Sequence, residues 1–499
     1  MSGSSRRELE AAVRPSASSI DGRRFVFQLS AHDLEVEVGG YVALGDGHLG
    51  QVHELGYAWI EGAELAAALA DGVEPPPASI RIAVVRGNGI VLDAESAPFH
   101  DLPVAPAASS VVAEHLEERR PLRAVLDVGA MALEPELRAT LHSGGFDRHT
   151  FFCGQSGSGK TYALGTVLER LILETSLRIV VLDPNSDFVR LHELREDVDP
   201  ELAERYRTAA SDLAVRRSAP GGDDRLHVRF TDCDAEEQAA VLRLDPIADR
   251  EEYGALVELL DSGFETAGSD SVGDLAARLL AASSPSVQAL GARVRNLGLH
   301  RWPSWSTGDA DSVQDLVQPG GPRIVVVDLG SLATPGEKAI AAESVLAALW
   351  RRRAAREPVL LVIDEAHNVC PREPEDPVTA LASRHAARIA AEGRKFGLYL
   401  LVSTQRPQRV NELVVSQCDN LVLMRMISAG DLAYVGDLLS VAPAPLVDRA
   451  SSFRMGESLV AGKIASHPTF VRFGPRISQE GGADVPALWA GSAQGSGAP

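Results

Sequence analysis

The sequence predicts an α/β protein: a parallel sheet flanked by helices, preceded by a small N-terminal β-barrel and carrying a helical insertion. Three observations predict this. Short alternating runs broken by Gly, Asp and Asn fill residues 24 to about 94. From about residue 125, wholly apolar strands such as "LRIVVLD", "PRIVVVDLG", "PVLLVIDEA" and "LYLLVST" alternate with helical patterns, as strands buried on both faces do. Between about 190 and 310 the text turns mostly helical and polar.

At 499 residues the chain has room for two or three domains. Apolar residues at 45% and charged residues at 23% are ordinary for a globular protein. No run approaches the length of a spanning helix, so no membrane segment is predicted. The start, "MSGSSRRELEAAVRPSASS", lacks an apolar run after its arginines and does not read as a secretory signal. Cys153, Cys233, Cys370 and Cys418 are widely spaced without CxxC pairing, which predicts reduced thiols and a cytoplasmic protein. A formal charge of −21 argues against a chain that coats nucleic acid over its whole surface. It leaves room for a few basic side chains in one channel, and solubility alone would also account for it.

In chain order, residues 1–20 and 477–499 are small, polar and Gly/Ser-rich, and read as tails. Residues 21–125 hold the barrel strands "FVFQLS", "LEVEVGGYVAL", "LGQVHELGYAWI", "SIRIAVVRG" and "GIVLDA". "SAPFHDLPVAPAASS" reads as a linker or an extended crossover. The sheet-and-helix core takes 126–190 and 310–476, with "HTFFCG" leading into a helix from Lys160 to about Glu174. Residues 191–309 form the helical insertion, in which "RLHVRF" is a candidate strand. No internal repeat is visible.

"GQSGSGKT" matches GxxxxGK[ST] in full between a strand and a helix. Its members, Gly154, Gln155, Ser156, Gly157, Ser158, Gly159, Lys160 and Thr161, with Tyr162 behind them, are the candidate ATP-binding residues. Glycines let successive N–H groups turn inward on phosphates, and the helix start adds its positive end. Lys160 would reach the β- and γ-phosphates, and the Thr161 hydroxyl would ligate Mg²⁺. "VLLVIDEAH" ends in Asp364, suited to the Mg²⁺ shell, and Glu365, suited to polarising an attacking water. A DE pair at a strand end can also be a helix N-cap. "LYLLVST" delivers Thr404 and Gln405, which sense the γ-phosphate or orient the attacking water, with Gln405 the catalytic candidate, or else make a turn that caps the next helix at Pro407. Past "LRIVVLD" lie Asp183, Asn185 and Asp187, which either join the Mg²⁺ and water shell or make an Asx turn. No NKxD guanine-reading segment follows the phosphate loop.

Together these residues resemble the HerA-type ATPases of the HerA/FtsK superfamily. "GGYVALGDGHLGQVHEL" resembles that family's N-terminal barrel (the HAS barrel), and "RHTFFCGQSGSGKT" its Arg-His lead into Walker A. "VVLDPNSDF", "VLLVIDEAHNVCP", "AAEGRKFG", "VSTQRP", "SQCDNLVLMR" and "MGESLVAGKIASHPTFVRFGPR" follow in family order. Two departures stand out. Asn185-Ser186-Asp187 replaces the usual His-Gly-Glu, and Asp364-Glu365 replaces a frequent Glu-Glu.

The resemblance implies a RecA-like P-loop core and a homo-hexameric ring that uses ATP and Mg²⁺ to drive translocation on double-stranded DNA. It implies an arginine that completes the neighbour's site. Arg394 and Arg148 are the candidates for it, with Lys395 a weaker one. Arg148 can equally pair with Asp147 or the barrel, and Arg394 can complement a helix end. Arg372 in "HNVCPREPEDP" is the candidate pore-loop contact to DNA phosphates, set among Glu373, Glu375 and Asp376 as a solvated loop would also be. Nothing resembles a base-reading helix or a stacking platform. The family commonly works with a separate nuclease, in DNA-end processing or antiviral defence. The alternatives are an ATP-driven ring that gates an effector protein and a conjugation- or secretion-type ATPase.

Overall fold

In the computed structural model, which describes residues 3–32, 35–73, 80–93, 96–218, 224–262, 272–305 and 311–482, the chain divides into two units. The first takes 1–177, 353–375 and 383–475, and the second takes 178–352, 376–382 and 476–499.

The first unit begins with six strands: β1 (Ser16–Ser19), β2 (Arg24–Ser30), β3 (Tyr41–Leu44), β4 (His48–Glu61), β5 (Arg81–Val91) and β6 (Phe99–Pro106). They close in the order β1-β2-β5-β4-β3-β6, all neighbours antiparallel. Phe25, Phe27, Leu29, Val42, Leu44, Val52 and Val104 fill the interior. Two glycines make room for the rings. A Cβ on Gly87 would stand 2.5 Å from the Phe27 ring, and one on Gly89 would stand 2.7 Å from Phe25.

Two stretches outside the predicted barrel strands contain ordered elements. Within the predicted tail 1–20, Gly3–Ala11 is helical and Ser16–Ser19 is β1. The stretch 96–110, read as a linker or an extended crossover, contains β6, paired to β1 and β3. Neither "SASS" nor "FHDLPVAP" alternates strongly, because main-chain bonds to neighbours on both sides hold them. Pro103 costs a donor, yet its carbonyl still accepts Gly45 N–H at 2.8 Å.

The first unit continues with β7 (Val125–Met131), β8 (Arg138–His142) and β9 (His149–Cys153). The second unit supplies β10 (Arg178–Asp183), β11 (Leu213–Arg216) and β12 (Ile324–Asp328). The chain then returns to the first with β13 (Val359–Ile363), β14 (Leu398–Thr404), β15 (Cys418–Met424), β16 (Glu457–Gly462) and β17 (Thr469–Phe473). In the first unit the order is β13-β14-β9-β15-β16-β17-β7-β8. From β13 to β15 the neighbours are parallel, and from β16 onward they are antiparallel. Every residue of β9 and β13 is buried, as a parallel strand covered on both faces requires.

In the second unit β12 lies between β10 and β11, all parallel. The strand of the 191–309 region is therefore Leu213–Arg216, not "RLHVRF", which makes only the isolated bridges Arg217–Arg225 and Val228–Trp305. Helices fill much of the remainder, including Pro200–Ala209, Ala235–Val241, Arg250–Asp261 and Pro285–Asn296. Capping boxes at Asp234/Glu237 and Thr334/Glu337 start two of the helices in this unit. The start of the predicted C-terminal tail is also packed: Ile477 is buried, and Gln479 N donates to Glu193 O at 2.8 Å. Residues 483–499 of that tail lie outside the described residues.

Candidate nucleotide site

β9 delivers the phosphate loop. Gly157 and Gly159 hold φ of 74° and 89°, the left-handed region that glycine enters without strain, and the helix Lys160–Glu174 starts directly behind them. Gly154 is needed for close approach, since a Cβ there would meet Met424 Cβ at 2.7 Å. Gln155 serves as a strut. Its N–H donates to Arg425 O at 2.9 Å, and its Oε1 accepts Ile427 N–H at 3.0 Å. Ser156 and Gly157 are exposed, whereas Ser158 is buried, its Oγ without a hydrogen-bond partner among the described residues. Thr161 and Tyr162 occupy the first helical turn, half-buried.

Lys160 is almost fully buried and finds its partners on two other strands. Its Nζ lies 2.8 Å from Asp364 Oδ1, 3.2 Å from Glu365 Oε1 and 2.9 Å from Ser403 Oγ. Burial alone would pull the ammonium pKa down, but the two carboxylates outweigh it, so the pKa is raised. Asp364 and Glu365 directly follow β13, and Ser403 belongs to β14, the strand between β13 and β9. Ligands of open α/β sheets bind at this carboxyl edge.

Glu365 has φ 41° and ψ 51°, a left-handed conformation unusual for a side-chain-bearing residue. Gln405 Nε2 donates to its Oε1 at 2.7 Å, and Gln405 N lies 3.4 Å from Oε2. His367 Nδ1 is 3.3 Å from Oε2 and 3.2 Å from Thr404 Oγ1. Burial lowers the His367 pKa despite the nearby Glu365 carboxylate, so the ring is neutral at pH 7. Ser403 and His367 were not singled out by sequence reasoning. Their signals are short offsets: Ser403 directly precedes Thr404, and His367 lies two positions after Glu365.

A divalent cation fits the donor set at one identifiable atom. Asp364 is fully buried, and its Oδ2 has no hydrogen-bond partner among the described residues, an acceptor that a cation would satisfy. In the second unit, Asp183 is taken up by its own turn, accepting from the N–H groups of Asn185, Asp187 and Phe188 at 2.8–3.3 Å. These bonds make an Asx-type turn.

The two candidate arginines share one carboxylate, Asp419, rather than reaching the phosphate loop. Arg394 follows the helix Pro377–Glu392 and bonds Asp419 Oδ2 at 3.0 Å. Arg148 Nε lies 3.5 Å from the same oxygen, and its Nη1 lies 3.0 Å from Asp147 Oδ1. Both stand at the amino ends of β9, β14 and β15, the edge opposite the phosphate loop. Lys395 follows Arg394 in the same short turn, exposed. Arg372 is exposed beside Glu412, 3.4 Å away, and its N–H donates to Arg409 O at 2.8 Å.

A strand, a glycine turn and a buried lysine facing two carboxylates across one intervening strand define a P-loop ATPase. Residues 126–342 match the family model "Helicase HerA, central domain". The DNA double-strand break repair helicase HerA of Pyrococcus furiosus is 22% identical over 405 residues, covering 70% of this chain and 69% of that protein. Its counterpart from Sulfolobus acidocaldarius is 30% identical over 158 residues, 30% of this chain and 31% of its own length. Among solved structures, VirB4 of Thermoanaerobacter pseudethanolicus aligns with a TM-score of 0.48 at 16% identity, covering 71% of this chain and 97% of its own. No helix among the described residues is long and apolar enough to cross a membrane.

Proposed function

We propose that this chain is a HerA-type, ATP-dependent translocase on double-stranded DNA, working as a hexameric ring of RecA-like cores, each carrying the barrel β1–β6. The single observation that carries the reading is the buried meeting of Lys160 with Asp364 and Glu365 at the carboxyl edge of the sheet, with Lys160 inside the segment 126–342 that matches the HerA central domain.

In this reading, N–H groups of 157–161 and the helix start cradle the phosphates, and Lys160 exchanges its carboxylate partners for the β- and γ-phosphate oxygens. Thr161 and Asp364 would hold Mg²⁺, which supplies charge neutralisation on the phosphates. Glu365 accepts the proton of the attacking water, with Gln405 orienting that carboxylate. Arg394 and Arg148, placed on the far edge, serve the site of the adjacent subunit. Arg372 contributes to phosphate contacts along the duplex. The ring acts in the cytoplasm with a separate nuclease or defence effector.

The test is ATP turnover with and without long linear duplex, at salt concentrations of about 50 and about 200 mM, since phosphate contacts weaken steeply over that range. Stimulation and salt-sensitive binding are expected. Their joint absence would overturn the translocase and favour a ring that gates an effector protein, a reading that the net charge of −21 supports.

A further inference from the structure

Two segments of the chain brace the phosphate loop on one flank. Residues 425–427 follow β15, and residues 454–456 precede β16, the antiparallel partner of β15. Gln155 N–H donates to Arg425 O at 2.9 Å, Gln155 Oε1 accepts Ile427 N–H at 3.0 Å, and Arg425 Nη2 lies 3.4 Å from Gly157 O. From the second segment, Gly456 N–H donates to Ser158 O at 2.9 Å, and a Cβ on Gly159 would stand 3.6 Å from Met455 Cγ. Each segment presents one large apolar side chain to solvent: Ile427 is 64% exposed and Met455 70%. A single exposed apolar side chain needs no explanation, but two on the segments that brace one phosphate loop form a paired feature.

The strand order β13-β14-β9-β15-β16 sets which way a nucleotide would lie across the loop. Glu365 and Gln405 follow β13 and β14, so the γ-phosphate and its attacking water belong on that side of β9. The nucleoside then leaves on the opposite flank, over residues 425–427 and 454–456. Four main-chain donors of these segments are already spent. Met426 N–H donates to Ala450 O at 3.1 Å and Arg454 N–H to Glu457 Oε2 at 2.8 Å, while Ile427 and Gly456 donate to the phosphate loop as above. What remains for a base is the apolar surface of Ile427 and Met455, and every base has a flat face that accepts such contact whatever groups line its edge.

We propose that Ile427 and Met455 clamp the nucleobase by its faces, so that the site selects nucleotides by ring area rather than by edge groups. The ligand class is purine nucleoside triphosphates, ATP and GTP alike, with pyrimidine ones held more weakly. The inference rests on the nucleotide-site part of the proposed function, not on DNA translocation. Methionine suits the task, because its unbranched, polarisable thioether packs well against an aromatic ring.

The experiment titrates the full chain, with Mg²⁺ present, with the β,γ-imido analogues of ATP, GTP and UTP and with inorganic tripolyphosphate. It compares wild type, Met455→Ala, Met455→Leu and the pair Ile427→Ala/Met455→Ala. Wild type should bind the ATP and GTP analogues within about fivefold of each other, and the UTP analogue more weakly. The alanine pair should lose about tenfold for both purine analogues, the effect of removing apolar cover of this size. Tripolyphosphate, which has no base, should bind the pair as it binds wild type. Met455→Leu keeps the apolar bulk and should recover most of what Met455→Ala loses. A larger wild-type preference between ATP and GTP analogues would show that the edge is read, and overturns the proposal. So does an alanine pair that keeps its purine affinity, or one that loses tripolyphosphate to the same degree, which would make the two side chains supports of the phosphate loop. If wild type binds tripolyphosphate as tightly as the ATP analogue, the clamp alone fails. If it binds neither, the nucleotide-site reading fails and the clamp with it.

Discussion

At the scale of single residues, two buried histidines hold charge-free positions in the first unit that acid will disturb. His149 opens β9, the strand that carries the phosphate loop, and its Nδ1 accepts Leu400 N–H at 2.9 Å. Burial pushes its pKa down to about 4, with Arg394 and Arg148 adding to the effect and Asp419 opposing it. His467 meets the Tyr41 hydroxyl of β3 at 2.8 Å, and burial beside His115, Arg119 and His53 pushes it down to about 3. In the unfolded chain both rings take protons near the ordinary pKa of about 6.5. Below that pH the unfolded state binds more protons, so stability falls with pH. The contribution is complete above about 6.5 and is lost as pH drops toward the folded values, on the order of 2 kcal/mol per ring at pH 5. Melting curves at pH 7 and pH 5 should therefore separate more for wild type than for His467→Gln, which cannot titrate. Equal shifts would show that His467 does not carry the acid sensitivity.

At the scale of elements, legibility followed the source of each element's stability. β9, β10, β12, β13 and β14 were readable because strands covered on both faces are apolar over most of their length, with polar residues confined to their ends. Two of them end in acid, Asp183 and Asp328, and a third runs directly into Asp364. The phosphate loop was readable because its glycines answer a backbone demand, visible as positive φ at Gly157 and Gly159. β1 and β6 were not readable, because barrel closure holds them through main-chain bonds that leave little trace in side-chain pattern. Strand β11 was misplaced for the same reason: "LAVR" earns its place by pairing with β12 rather than by its own hydrophobicity. The contact of Glu365 with Gln405 joins residues 40 positions apart and could not be read from spacing. These backbone arguments predict the effect of truncation. Removing residues 1–19 strips β1 from between β2 and β6 and leaves two strand edges open, a template for intermolecular pairing. The truncated chain should aggregate or melt lower than the full chain, as read by light scattering during a thermal ramp. Unchanged melting and scattering would mean that β1 is dispensable to the barrel.

At the scale of the whole molecule, the decisive geometry is the distance between the phosphate loop and the two arginines. β9 runs its five residues from His149 to Cys153, about 13 Å of strand at roughly 3.3 Å per residue, with Arg148 before its first residue and the phosphate loop after its last. Arg394 is tied to the same amino edge through Asp419. Neither guanidinium serves the phosphate site of its own chain from there, so a catalytic role requires a second subunit. Lys160→Ala removes the phosphate lysine and Arg394→Ala removes the arginine, and each should be inactive alone. Mixed into one ring, a subunit with an intact lysine can face a neighbour with an intact arginine, and random equal mixing assembles such a site at about a quarter of the interfaces. Turnover should therefore reappear on mixing, toward but not beyond about a quarter of the wild-type rate. Mass measurement of the mixture confirms that subunits have exchanged. If exchanged rings stay inactive at every ratio, Arg394 does not act across the interface. Its bond to Asp419 at the end of the helix Pro377–Glu392 is then its whole role.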